Sequence, residues 1–181
     1  MPFLSIVTRC SPGRRELLER NELSIAAQTD GDLEQIFIEG AANLYEANLS
    51  LAMAGDVLVG EYVYVLDDDD YLCDSDFVTA AKKAAEDAPD VIMVRARWVY
   101  LAGHILPDAP NWGRPPVLGK VGSPCFLVKR EVWREHIRSF GRPRCGDFHF
   151  IRKLWDMGCS FLWLDRVVAE VDRSSFLEGA G

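Results

Sequence analysis

The sequence predicts an α/β fold in which a mostly parallel sheet carries helices on both faces. Three observations predict it. Short apolar runs alternate with segments of helical composition through the first half, the first three runs being "FLSIVTRC", "LEQIFIEG" and "EYVYVL". The first reads as a buried strand, a short apolar run ending in polar residues, and the alternation implies a sheet covered on both faces. Each run ends in polar residues: Thr8-Arg9-Cys10, Glu39-Gly40, and Asp67 to Asp70. That brings the three sets together at the carboxyl edge of the sheet, where ligands of such sheets bind.

The elements follow in order. After the first strand, Ser11 and Pro12 suit an N-cap and a first helical position, opening a helix to about Gln28 with Leu18 and Ile25 on one face. The second strand ends at Glu39-Gly40, and residues 41–54 have helical composition with Leu44, Ala47 and Leu51 on a shared side. The third strand is rich in aromatic and β-branched residues and runs directly into the four aspartates. Asp74 or Ser75 then caps a helix in which Phe77, Ala81, Ala84 and Ala88 recur at helical spacing.

The second half is less regular. "DVIMVRARWVYL" reads as one or two strands, and "GHILPDAPNWGRPPVLG" as a long loop around Trp112. "KVGSPCFLVKREVW" reads as a strand entering a short helix. "GDFHFIRKLWDMG" reads as a helix opening at Asp147 and closed by Gly158, with Phe148, Ile151 and Trp155 on one face; "SFLWL" is the last strand.

At 181 residues the chain is long enough for one domain with a substantial core. Its hydrophobic fraction of 49% and charged fraction of 27% are those of an ordinary soluble globular protein. A formal net charge of −8 argues against general affinity for nucleic acid or anionic membranes. No basic segment leads into a long apolar stretch, and no apolar run approaches the roughly 20 residues of a membrane helix. The five cysteines are an odd number without a C-x-x-C pair, which fits reduced thiols and a cytoplasmic location.

The aspartate tetrad is the sharpest feature. Side chains two apart on an extended chain point the same way, so Asp67 and Asp69 converge. Paired carboxylates suit a hard cation such as Mg²⁺ or Mn²⁺, which takes one or two protein carboxylates and fills its shell with water and phosphate oxygens. The residues alone leave a second reading open, a solvated acidic turn favoured by the dipole of the following helix.

Taken together, the pieces resemble the family 2 glycosyltransferases, with a GT-A-type (nucleotide-diphospho-sugar transferase) fold. The resemblance runs through "LSIVTRC", "LSIAAQT", "LEQIFIEG", "EANLSLAMAGDVLVGEYVYVLDDDDYL", "KVGSPCFLVKREVW" and "GDFHFIRKLW", in the family's order over nearly the whole chain. It implies one domain, with residues 1–100 as the nucleotide-sugar half and 101–181 as the acceptor half. It also implies transfer of a sugar, with inversion, from a nucleotide-sugar donor (a UDP-sugar by family habit) to an acceptor hydroxyl of a glycan or other molecule.

By position, Thr8, Arg9, Glu39, Asp67 and Asp68 would serve the nucleotide sugar. Asp69, with Asp67, would hold Mn²⁺ or Mg²⁺ in an Asp-x-Asp motif. Asp147 would be the catalytic base, and Trp112 and His149 are acceptor-side candidates. The chemistry needs these types: the leaving diphosphate gains negative charge that a cation stabilises, and an acceptor hydroxyl needs a carboxylate to take its proton.

The chain also departs from the family. Glu39-Gly40 stands where Asp-Asp is usual, Gly146 replaces the first acid of a Glu-Asp pair, and no histidine follows "SFLWL". A non-catalytic nucleotide-sugar or metal-binding domain is therefore the alternative function. A haloacid dehalogenase-like phosphatase is a weaker rival, since its Asp-x-Asp lies on the first strand rather than the third.

Overall fold

The computed structural model describes residues 1–39, 44–141 and 144–172. Its strands are β1 (Leu4–Cys10), β2 (Leu33–Glu39), β3 (Tyr62–Val65), β4 (Asp70–Leu72), β5 (Val91–Trp98), β6 (His104–Leu106), β7 (Phe126–Lys129) and β8 (Phe161–Val171). Its α-helices are α1 (Arg15–Ala26), α2 (Leu44–Met53), α3 (Phe77–Ala84), α4 (Arg130–His136) and α5 (Gly146–Asp156).

The described strands form one sheet in the order β2-β1-β3-β7-β5-β8-β4, with β6 added on β5. The first three strands are parallel, as is β5 with β8. The pairs β3–β7, β5–β7, β5–β6 and β4–β8 are antiparallel. The expected α/β class is thus present, but the parallel pattern holds for only part of a mixed sheet. The reason lies in residues 99–125, which reverse the chain so that β7 enters between β3 and β5 in the opposite direction. Helix α1 packs on β4, α3 on β8, and α4 on β3 and β7.

The buried runs follow from the apolar runs. Val63, Tyr64 and Val65 are fully enclosed, as are Leu4, Ile6 and Val7 beside them and Val91 to Val94 beyond. Both tyrosines of β3 resolve their polar ends internally, Tyr62 donating to the Pro89 carbonyl at 2.7 Å and Tyr64 to that of Pro124 at 3.0 Å. Gly60, just before β3, sits so tightly on β1 that an added Cβ would lie 2.4 Å from the Ser5 backbone nitrogen. Gly60→Ala is accordingly expected to destabilise the fold by about 1–3 kcal/mol, the usual cost of overpacking, measured as a lower urea midpoint.

Several local expectations change. Helix α1 opens at Arg15 rather than Pro12, because Pro12 and Gly13 form a turn (Gly13 at φ +82°) and the Ser11 N–H is taken by Asp68. Asp76, not Asp74 or Ser75, is the N-cap of α3, and its side chain makes no cap bond. Asp74 still supports the helix entry, its Oδ1 accepting the Asp76 N–H at 3.1 Å, and it also accepts two hydrogen bonds from Arg166. Ala88 lies past the helix in a left-handed conformation. The helical face of Leu44, Ala47 and Leu51 keeps only Leu51 among side chains that are described, and Leu51 is buried.

Candidate functional site

The aspartate tetrad is not a solvated turn. Asp68, Asp69 and Asp70 are only 2%, 7% and 3% exposed. Burying three adjacent carboxylates is costly unless each is paired or hydrogen-bonded, and the surrounding residues show how this is met.

Arg9, at the end of β1, makes a bidentate pair with Asp67, Nε to Oδ1 and Nη2 to Oδ2, both at 2.5 Å. Its remaining terminal nitrogen donates to Asn48 Oδ1 on α2 at 2.6 Å. Burial works against the Arg9 charge, but Asp67 more than offsets it and lifts the guanidinium pKa above its ordinary value. The charges of Asp147 and Asp70 act in the same direction. Asp68 accepts from the Ser11 N–H at 2.6 Å and from Arg14 Nη1 at 3.1 Å. Arg14 Nη1 also lies 3.3 Å from Asp69 Oδ2.

The backbone of the tetrad is clasped from α1. Asn21 Nδ2 donates to the carbonyls of Asp67 and Asp70, and Arg20 donates to that of Asp69. Asn21 Oδ1 in turn accepts from Gln35 of β2. A polar residue between Leu18 and Ile25 on the inner face of α1 was the sequence signal for this clasp, because Asn21 falls on their side of the helix.

Asp69 is held in tension. Burial first, then the neighbouring Asp67 charge, push its carboxyl up to about 6, against the pull of Arg14. Asp68 is also raised, chiefly by burial.

Asp67, Asp69 and Asp70 line one cleft with Trp98, Gly122, Ser123, Pro124, Asp147 and Val171. The cleft therefore joins the tetrad to the start of α5, far along the chain. There Asp147 is half-buried, with Oδ1 accepting the Phe148 N–H at 2.7 Å. The residue before it has no room for a side chain: a Cβ on Gly146 would stand 2.1 Å from the Phe140 carbonyl oxygen and 3.1 Å from Asn48 Nδ2. The acid that the family resemblance leads one to expect at Gly146 is thus excluded sterically.

The other candidates lie elsewhere. Thr8 is fully buried, its hydroxyl accepting from Gln35 at 2.9 Å. Glu39 is exposed at the end of β2, in register with Cys10, and Gly40 lies outside the described residues. Trp112 packs edge-on against Trp163 with ring centres 4.9 Å apart, and the Arg95 guanidinium sits 4.1 Å over its ring. His149 is half-buried beside Phe148. Neither Trp112 nor His149 lines the cleft. Burial pushes the thiols of Cys10 and Cys125 up to about 11 and 12, which keeps both protonated and poor as nucleophiles at neutral pH.

Among the described residues no group of three or more His, Cys, Asp or Glu is arranged to hold a metal ion. The donors of the cleft nonetheless fit a hard divalent cation, since Mg²⁺ needs only one or two protein carboxylates. Asp69 offers such an oxygen, whereas both oxygens of Asp67 already face Arg9.

No protein-family model matches the chain, and no curated protein matches it in sequence. Solved structures do match in fold. TarS residues 1–349 of S. aureus in complex with UDP superposes with a TM-score of 0.70 at 16% identity, over 98% of this chain and 63% of that one. The same TarS segment with UDP-GlcNAc gives 0.67 at 16% identity, over 94% and 58%. The mannosyltransferase PcManGT of Pyrobaculum calidifontis, in complex with GDP-Man and Mn²⁺, gives 0.66 at 18% identity, over 93% and 56%. The chain spans less than two thirds of each of these. The fold defined by the sheet, its helices and these neighbours is of the GT-A glycosyltransferase type.

No described helix is long and apolar enough to cross a membrane.

Proposed function

We propose that this chain is a family 2-type glycosyltransferase domain that moves a sugar, with inversion, from a nucleotide-sugar donor to an acceptor hydroxyl. In this reading residues 1–100 form the donor half and 101–181 the acceptor half. The observation that carries the reading is the cleft itself, in which Asp69 and Asp147, from distant parts of the chain, face a shared space. The neighbours support the donor class, since their structures contain UDP, UDP-GlcNAc, or GDP-Man with Mn²⁺.

Asp69 would hold Mn²⁺ or Mg²⁺, with Asp67 sharing its carboxylate between Arg9 and the ion. Such an ion supplies Lewis-acid stabilisation of the charge that develops on the leaving diphosphate. Asp147 would take the proton of the acceptor hydroxyl as it attacks the anomeric carbon. Arg9, fixed by Asp67 and Asn48, would set the position of Asp67 against the nucleoside. Asp68 would hold the loop over the nucleotide by fixing Ser11. Thr8 is a positioning residue here, since its hydroxyl is committed to Gln35.

A non-catalytic nucleotide-sugar-binding domain is the second reading, and the missing acid at Gly146 is the observation that favours it. Melting with UDP, GDP, CDP or ADP, each with and without Mn²⁺, tests the donor site. One nucleotide is expected to raise the melting temperature only with metal, since a ligand of the folded state must stabilise it. A flat response to all four at millimolar concentration would reject both readings. Turnover of the matching nucleotide sugar then separates enzyme from binding domain.

A further inference from the structure

Two arginines face the buried aspartates, and they are held very differently. Arg9 is anchored by three short hydrogen bonds, two to Asp67 and one to Asn48, and its side chain is 11% exposed. Arg14 reaches Asp68 and Asp69 through a single nitrogen, at 3.1 and 3.3 Å, and its side chain is twice as exposed, at 22%. It follows the Pro12-Gly13 turn, where a Cβ on Gly13 would meet nothing within 4 Å, so there is space around this turn. Asp68 has a second partner besides Arg14, the Ser11 N–H at 2.6 Å.

We infer that Arg14 is a displaceable internal counter-cation, which a divalent ion must expel from Asp69 in order to bind. The inference rests on the donor-site reading, because it takes Asp69 as the metal-holding residue. An ion on Asp69 Oδ2 would stand close to Arg14 Nη1, which lies 3.3 Å from that oxygen through a single weak contact, and the two positive charges would repel. Arg9 cannot yield, because its departure would leave Asp67 uncompensated and break the Asn48 bond. Arg14 can, because it has two long contacts to give up and open solvent to enter. Metal affinity is therefore set by a competition inside the protein, in which Arg14 offsets part of the negative charge around Asp69 until an ion replaces it.

The test is Mn²⁺ binding in the absence of nucleotide, read from the loss of the free-ion electron paramagnetic resonance signal. Arg14→Gln is expected to bind Mn²⁺ about tenfold or more tightly than wild type, because the competitor is gone while the carboxylates remain. Arg14→Lys keeps the charge and is expected to stay within about threefold of wild type. Asp69→Asn should bind no Mn²⁺ in either background. Far-ultraviolet circular dichroism confirms that each variant is folded, and the Lys variant gives an answer if the Gln variant is not.

Equal Mn²⁺ affinity for wild type and Arg14→Gln overturns the inference while leaving the donor site intact. No binding to either overturns it together with the assignment of Asp69 to metal. Tighter binding by Arg14→Gln that Asp69→Asn abolishes sustains it, and the nucleotide melts test the donor reading separately.

Discussion

Asp147→Asn is expected to lower the turnover of the matching nucleotide sugar by about 10²–10⁴-fold, the usual worth of a general base. The substitution is nearly isosteric and keeps the oxygen that accepts the Phe148 N–H, so the opening of α5 should survive. What is lost is the ability to accept a proton. Nucleoside diphosphate affinity should move less than about twofold, because the tetrad, Arg9 and the α1 clasp are untouched. Steady-state kinetics would then show a fall in kcat with little change in donor KM, the signature of an interaction used only in the transition state. If kcat survives, Asp147 is a helix-opening residue and the base must be sought elsewhere.

The second large effect is expected at Asp69, and it has opposite signs with and without metal. In a chelator, Asp69→Asn should make the protein more stable at pH 7 by about 1–3 kcal/mol. The folded-state carboxyl is pushed up to about 6, first by burial and then by Asp67, against an ordinary value of about 3.9 unfolded. The folded state thus binds the Asp69 proton more tightly, so stability falls as pH rises from about 4 through 6. The advantage of the variant should accordingly shrink toward zero as the pH is lowered to about 4. Saturating Mn²⁺ and nucleotide should reverse the order at pH 7, because only wild type gains the binding energy; about 2.7 kcal/mol accrues at a hundredfold excess over Kd. Urea titrations of both proteins at pH 4, 5, 6 and 7 would show it. A wild type as stable as the variant in chelator at every pH would mean that the carboxylate is not strained.

Much of the fold was legible because β1, β3, β5 and β7 are runs of apolar residues whose burial does not depend on distant partners for its pattern, while β2, the edge strand with no buried residue, was read from its place in the alternation. What was not legible depends on such partners. Strand β4 is three residues long and begins with Asp70, so no periodicity marks it; it exists because Val171, Glu170 and Ala169 lie opposite. Strand β8 continues past "SFLWL" through Asp165 and Arg166, whose charges mask its length, each having its own partner, Arg95 and Asp74 respectively.

The start of α1 was misread for a similar reason: Ser11-Pro12 has the chemistry of a helix opening, and the Asp68 carboxylate claims that serine's N–H. In the site, the convergence of three sheet-end segments followed from the parallel β2-β1-β3 order. The burial of the aspartates did not, since nothing local says that Arg9, Arg14 and Arg20 surround them. Sterics at Gly146 were equally invisible, because the Phe140 carbonyl that blocks a side chain there is brought in by tertiary packing.

The pairing of β4 with β8 also sets a schedule. Among the described residues, Asp70, Tyr71 and Leu72 pair as a strand with the last residues of β8 alone. Arg20, stacked 4.2 Å from the centre of the Tyr71 ring, reaches across to Asp172 just beyond. Contacts so distant in sequence are costly in chain entropy and form late in folding. A chain emerging from the ribosome therefore exposes its aspartates before the strand that closes over them has been synthesised. The cleft cannot be complete until β8 has been made to pair with β4.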